Sequence, residues 1–538
     1  MSFLVGHSLF TLTTSIFIII YIITIQAYSY SFTPTTHSTF IHRRVSNSNN
    51  SNNMSSSSSE RQSNNRPKKV MKMMSSSSTL SSHSSSILTS TSVSSSSAST
   101  STSASASTSA SITKEQAQAT LQTLANEMNE RAKNQTPLTE NEMRDILASF
   151  ENVSSTTCTD TNTNTNKDYL DEEGELSKLL SNAAHLSHKD WTKTGNSAQL
   201  LRDFLLKDNP TLTPEFKQMF QRVIKEGNWE NALQHASSSE SGSKPWVVLV
   251  TGVNGIRKTT SVYQSWFNEL LQEALVVPPG GGTAADDDSS KLQLPTGENS
   301  FFRQLDHMIA TLTNHNFQLM YHLTSQAHDF HNDNDTDTDT DENTPSSDLI
   351  QTYSNYKAAI FTRYRTLSEI LGVMLVREAI QQNLNVMIET SGRDVAMFHY
   401  VDLFFPSDKY NKLALHFTIN DLSHAESSVD KRMVREMKDG SNALQSSDIV
   451  KIIKANAGGP YGSEVLKGIQ KDSDAVWDTI LANAANAGGD GEEKSVGHDW
   501  FKATIHIEAS GDKDWTAKAI RPDGTDGQAF TFEAPRKV

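Results

Sequence analysis

Apolar positions along the chain fall into three regimes. Up to Ser111 they are scarce, apart from one block at Leu9–Ile25 centred on Ile16-Phe17-Ile18-Ile19-Ile20. From Ile112 to about residue 235 they recur at three- and four-residue spacing. Leu121, Leu124 and Met128 predict one helix, opened by Thr113 ahead of Glu115-Gln116. Met143, Ile146, Leu147 and Phe150 predict a second, over 140–150, and further helices are expected over 176–186, 198–206 and 214–224. From Pro245 the pattern becomes short continuous apolar runs separated by helical stripes. Trp246–Val250 and Val386–Ile388 are continuous apolar runs too short for helices, as expected of buried parallel strands, and Leu413–Ile419 predicts a third strand. Between and after them, helices are predicted from Val262 to Leu271, over 301–323, over 364–382, over 423–438 and over 463–481. After a Gly/Asn/Ala-rich linker, 500–509, 515–521 and 528–532 alternate in the strand manner, with Pro522-Asp523-Gly524 as a turn.

This order predicts an α/β fold with a mainly parallel sheet. The expected map is a presequence at 1–31 and a disordered Ser-rich segment at 32–111. A helical region follows at 112–235, then an α/β domain at 245–482 with insertions at 278–297 and 329–348. A small antiparallel β unit at 497–536 completes it.

The first apolar run of the α/β domain breaks into Thr251-Gly252-Val253-Asn254-Gly255-Ile256-Arg257-Lys258-Thr259-Thr260. A buried strand feeding a Gly loop and a Lys-Thr helix start predicts a phosphate-binding loop in a three-layer P-loop core. Gly252 and Gly255 permit the tight backbone around Asn254. Lys258 is expected to reach the β- and γ-phosphates of ATP, and Thr259, followed by Thr260, to hold Mg2+. Arg257 stands where the full pattern has Gly. Its Cβ can obstruct phosphate, or its guanidinium can supply charge. The plainer alternative is a strand–turn–helix with an incidental Lys-Thr pair.

A second candidate group closes the strand at Val386–Ile388: Glu389, then Thr390-Ser391-Gly392-Arg393. A carboxylate at a strand end can hold Mg2+ or fix a substrate hydroxyl. Lys431, Arg432 and Arg435 lie on a charged helix, with Lys431 and Arg435 four apart on one face, where a basic helix can stabilise a transferring phosphoryl group or its bases can simply pair with Glu426, Asp430 and Glu436.

Taken together, Pro245 to Gly440 resembles the zeta-toxin-like kinases, P-loop enzymes that phosphorylate small molecules such as UDP-N-acetylglucosamine. The loop matches apart from Arg257. Glu378-Ala379-Ile380 through Asn385-Val386-Met387-Ile388-Glu389 is similar to the family's second signature, with Arg393 four positions beyond the acid. Ser427, Ser428, Lys431 and Arg435 resemble its lid pattern. The resemblance implies ATP- and Mg2+-dependent transfer to a hydroxyl, with Thr390, Ser391 and Arg393 on the substrate. It also implies an Asp as general base, for which the candidate is Asp306, although the Arg expected three residues later is absent. An inactive or regulatory relative is the alternative that Arg257 keeps open. A GTPase is disfavoured, since neither an Asp-x-x-Gly switch nor an Asn/Thr-Lys-x-Asp motif stands in a suitable place.

Composition narrows the partners. A net charge of -15 argues against a basic nucleic-acid-binding face. The expected partners are a nucleotide and a small-molecule acceptor. Cys158 is the only cysteine, so an intrachain disulfide is impossible. Asp333, Asp335, Asp337, Asp339 and Asp341 alternate in a tract without Gly, so an EF-hand calcium loop is not expected. The apolar block with small residues after it reads as a signal peptide, or as a membrane anchor at the short limit. A Ser-rich segment follows with several Arg and Lys but a single acid, Glu60, before the first predicted helix. Together with Ser29-Tyr30-Ser31-Phe32-Thr33-Pro34 this resembles a bipartite plastid presequence, the alternative being a secreted or endomembrane protein with a Ser-rich stalk. No stable membrane span is expected in the mature chain.

Overall fold

The structure is a computed structural model that describes residues 112–155, 175–206, 220–238, 243–275, 294–330, 344–456, 458–485, 496–510, 515–521 and 524–533. The presequence, Cys158 and the alternating Asp tract lie outside the described residues.

Seven strands form one sheet: β1 (Trp246–Thr251), β2 (Ser300–Phe302), β3 (Asn385–Glu389), β4 (Asn411–Ile419), β5 (Phe501–Ala509), β6 (Trp515–Ile520) and β7 (Asp526–Phe532). Their order is β2-β3-β1-β4-β5-β6-β7. The first five run parallel, and β5 to β7 run antiparallel. Every residue of β1 is buried, so helices must cover both faces of the sheet there. Complete burial of one Val or Leu stabilises the fold by about 1.5–3 kcal/mol, and Val247, Val248, Leu249 and Val250 make this strand the anchor of the molecule. Burial alternates along β5 and β6, so the sheet is covered on one face at that end.

Connections out of β1 lead toward the β2 edge, whereas those out of β4 lead toward β5. Neighbouring strands whose chains depart in opposite directions leave a crevice at their carboxyl ends, where open α/β sheets bind ligands. The register places Val250 beside Glu389 and Thr251 beside His416, so the loops after β1 and β3 rise side by side.

Three expectations are corrected. The segment 301–323 is not one helix. Ser300–Phe302 is edge strand β2, and two helices follow at Leu305–Leu312 and Asn314–Ala327. Three residues are too few to show a period. The helix expected over 364–382 starts seventeen residues earlier and runs from Ser347 to Gln381, opened by the Ser346 side chain accepting from the Leu349 N–H. Ser347 and Asp348 therefore belong to a helix and not to an insertion. The C-terminal strands are no separate unit, because β5 pairs parallel with β4 over Leu413–Ile419 and extends the central sheet.

The helical region is likewise no independent domain. Leu121, Ala125, Met143 and Ile146 join the same apolar core as β1. Arg363 of the long helix donates to Glu142 at 2.9 and 3.0 Å and to the carbonyl of Pro137 at 3.0 Å. Arg202 donates to the fully buried Glu378 at 2.7 Å. The first helix, Lys114–Lys133, has the predicted start, as Thr113 and Gln116 form a reciprocal capping box. Among the described residues, no helix is long and apolar enough to cross a membrane.

Candidate functional site

The loop after β1 is held in shape by backbone conformation. Gly252 (φ +123°) and Gly255 (φ +89°) occupy the left-handed region. A Cβ on either would come within 2.5 Å of a carbonyl oxygen, of Phe417 and of Ala425 respectively. Arg257 is also left-handed, at φ 62° and ψ 32°. That conformation costs a residue with a Cβ about 1–2 kcal/mol, which is why Gly suits the position. The guanidinium of Arg257 lies 3.9 Å from the ring centroid of Trp515 on β6. A cation–π contact of this kind contributes about 0.5–2 kcal/mol, enough to offset the strain. Arg257 thus differs from the pattern in residue type but not in backbone conformation. Its backbone takes the Gly-type conformation, and its charge rests on an aromatic ring from the C-terminal strands.

Lys258 begins the next helix and is 3% exposed. Its ammonium donates to the carbonyls of Gly252 and Val253, both at 2.8 Å, and stands 3.2 Å from Glu389 Oε1. Burial pulls the Lys258 pKa down and the Glu389 carboxylate opposes that pull. Thr259 donates through Oγ1 to Glu389 Oε2 at 2.6 Å. The carboxylate thus bridges two successive residues of the β1 loop from across the crevice. Thr259 and Glu389 are hard oxygen donors on facing elements, and Mg2+ typically takes one or two carboxylates together with phosphate and water oxygens, so the pair fits that ion. Among the described residues there is no group of three or more His, Cys, Asp or Glu of the kind a cage built wholly from protein would require. The Asn254 carboxamide packs on Gly459, where a Cβ would approach it to 2.8 Å. The Thr260 carbonyl accepts from Gln264 at 3.3 Å.

Asp306 lies in the first turn of the helix after β2. It keeps some surface open to solvent but sits deep, with protein around it. Burial pushes its carboxyl above the usual Asp range. Glu389 pushes the same way, while Lys357, Arg365 and Arg432 pull it down. Asp306 in turn acts on Lys258, so the two share one electrostatic environment.

The charged helix runs from Leu422 to Gln445 and buries Ala425, Val429, Met433, Glu436 and Met437. On that geometry Lys431 and Arg435 are exposed. Arg432 is the basic residue turned toward the crevice. Its guanidinium donates to the Gly459 carbonyl at 2.9 Å and its charge is felt by both Lys258 and Asp306. Glu436 holds Lys357 of the long helix at 2.6 Å, with both side chains fully buried, and Lys357 also donates to Gly458 O at 2.8 Å. Lys357 is not among the sequence candidates, Arg432 enters there only as a base of the charged helix, and Glu436 only as an acid pairing with its bases. The signal was present for two of them. Lys357 interrupts the apolar stripe Tyr353, Ile360, Tyr364, and Glu436 interrupts Val429, Met433, Gly440. A charge on a buried stripe requires a partner.

After β3, the Thr390 N–H donates to Val250 O at 2.9 Å and locks the two loops together. Gly392 (φ +72°) turns the chain, and a Cβ there would lie 2.7 Å from Thr251 Cβ. Thr390, Ser391 and Arg393 line a cleft of about 290 Å³ whose far wall is the 184–191 turn of the helical region. Arg393 lies 5.0 Å from the ring centroid of Tyr461.

The site thus gathers Lys258, Thr259, Glu389, Asp306, Arg432 and Lys357, brought from separate parts of the chain, at the carboxyl ends of β1 and β3. Such a set can bind an anion, hold a divalent cation and accept a proton. Comparison with known proteins gives no match: no family model, no curated protein and no solved structure is similar to this chain.

Proposed function

We propose that the protein is a P-loop kinase of zeta-toxin-like type, transferring the γ-phosphoryl group of ATP to a hydroxyl of a small molecule with Mg2+. The observation that carries this reading is the convergence of Lys258, Glu389 and Asp306 on one crevice. The β1 loop and Lys258 bind the phosphates. Thr259 and Glu389 would hold Mg2+, which would supply positive charge to the phosphates. Asp306 takes the proton of the acceptor hydroxyl, a role suited to a carboxyl whose pKa burial raises. Arg432, and not Arg435 or Lys431, is the basic residue of the charged helix placed to stabilise the transferring group.

The regulator reading rests on Arg257 alone. The left-handed backbone at Arg257 and the stacking of its side chain on Trp515 favour a working loop instead.

Calorimetric titration with MgATP and MgGTP, followed by a phosphate-transfer assay on small hydroxyl compounds, tests the proposal. Lys258→Ala is expected to abolish nucleotide binding. Asp306→Asn is expected to preserve it and to lower transfer by about 10²–10⁴-fold, the usual contribution of a positioned base. Tight MgATP binding with no transfer to any acceptor or to water would favour the regulator. Unchanged affinity in Lys258→Ala would end the P-loop reading.

A further inference from the structure

The cleft beyond Thr390 is walled partly by a segment outside the region that resembles a kinase. One side is the 184–191 turn, with His188 and Lys189. The other is formed by Arg365 of the long helix, by Arg393, and by Tyr461. It adjoins the phosphate site through Thr390, which follows Glu389 directly, and through Arg365, whose charge acts on Asp306.

Its charge is positive within an acidic protein. Glu369 is fully buried and paired with both Arg303 and Arg365, the latter at 2.7 Å, so two guanidinium groups share one carboxylate. Lys189 is matched by Asp394 at 2.8 Å, and Arg363 by Glu142 at 2.9 Å. Arg393 is exposed and lies over a ring. Arg365 and Arg393 therefore leave positive charge facing the cleft. The His188 pKa is pushed down to about 4, first by burial and then by Arg365, which keeps it neutral beside them.

The cleft is also small. At about 290 Å³ it lies at the lower edge for small-molecule sites. A compact acceptor matches that volume better than a nucleotide sugar, the acceptor that the zeta-toxin-like resemblance implies.

We infer that this cleft binds the anionic end of a compact hydroxylated acceptor, a phosphate ester or a carboxylate, through Arg365 and Arg393, and that the helical region supplies the wall that excludes larger acceptors. As an acceptor site, it rests on the kinase reading. As an anion site, it is testable without nucleotide.

The test titrates the full chain calorimetrically, without nucleotide, with glycerol 3-phosphate and glucose 6-phosphate, with glycerate, with glycerol and glucose, and with UDP-N-acetylglucosamine. One or both anionic classes are expected to bind, and their neutral parents to bind at least about tenfold more weakly, in line with a charge-assisted hydrogen bond. The phosphate and carboxylate arms separate the two sources of the anion. Arg393→Gln, at an exposed position, is expected to weaken the anion by about tenfold or more while leaving MgATP affinity unchanged, and Arg393→Lys to recover part of the loss. Equal binding of neutral parents, tighter binding of UDP-N-acetylglucosamine, no effect of Arg393→Gln, or no binding by any probe would each overturn the inference. If the anions bind as expected but MgATP does not, the cleft stands and the kinase reading falls.

Discussion

The two halves of the sheet do different work. From β2 to β4 the strands are parallel and β1 is buried on both faces, and their carboxyl ends carry Asp306, Glu389 and the Lys258 loop. From β5 to β7 the strands turn antiparallel and burial alternates along β5 and β6. From that half Trp515 reaches the β1 loop, where it touches Arg257, the residue that departs from the sequence pattern. The parallel half gathers the charges, and the antiparallel half braces the backbone that presents them. A change at Arg432 or Asp306 should therefore act on rate, and a change at Trp515 on affinity.

The largest separation is expected within the parallel half, on the charged helix. Arg432 faces the crevice and Arg435 is exposed. If Arg432 stabilises charge developing in transfer, Arg432→Ala should lower kcat by about 10²–10³-fold, as loss of one preorganised donor does, with nucleotide affinity much less changed. Arg435→Ala should leave kcat within about twofold, as surface substitutions generally leave a protein nearly unperturbed. Steady-state kinetics of the two variants decide it. Equal losses would return the lid role to the spacing read from the sequence.

That contrast shows where the sequence was informative. Apolar runs revealed β1, β3 and β4, because a strand covered on both faces is mostly apolar. The loop motif placed Lys258, Thr259 and Glu389 near one another through the rule that ligands bind beyond strand ends. Helix phase was harder. The basic pair four apart marked a face of the charged helix, but which face turns inward is decided by Val429, Met433 and Met437 packing into the core, and Arg432 follows from them. β2 was hidden because three residues carry no period. The junction of β5 with β4 was invisible, since alternation reports the burial of a strand and not its neighbour. The partnership of Arg257 with Trp515 joins residues 258 positions apart, and no local pattern encodes it.

A smaller effect concerns proton balance. Asp306 acts as a base only when ionised, and burial raises its pKa above the ordinary Asp value. The acid limb of kcat/KM should therefore lie above the usual carboxylate range. Rate should rise with pH through that limb, by about tenfold per unit well below the midpoint, and level off above it. Asp306→Asn should remove the limb along with most of the activity. A limb that persists unchanged in the residual activity would assign the titration to another group.

The smallest expected effect tests the brace. Arg257 pays about 1–2 kcal/mol for its left-handed backbone, and the Trp515 contact returns about 0.5–2 kcal/mol. Trp515→Ala removes the return and leaves the strain, so the loop should hold its shape less well. Affinity for MgATP should fall by about 2–30-fold, the range that 0.5–2 kcal/mol allows. Trp515 is itself buried, however, and its loss also costs packing with the strands beside it. Arg257→Gly separates the two causes. Gly adopts the left-handed conformation without strain and has no side chain to stack. On its own it should leave affinity unchanged or raise it. Combined with Trp515→Ala it should restore nucleotide affinity while the thermal stability lost with Trp515 stays lost. The two substitutions are then non-additive in binding and near-additive in Tm, which a double-mutant cycle measures directly. Additive losses in both would mean that Trp515 supports the fold alone and that the loop does not depend on the antiparallel half.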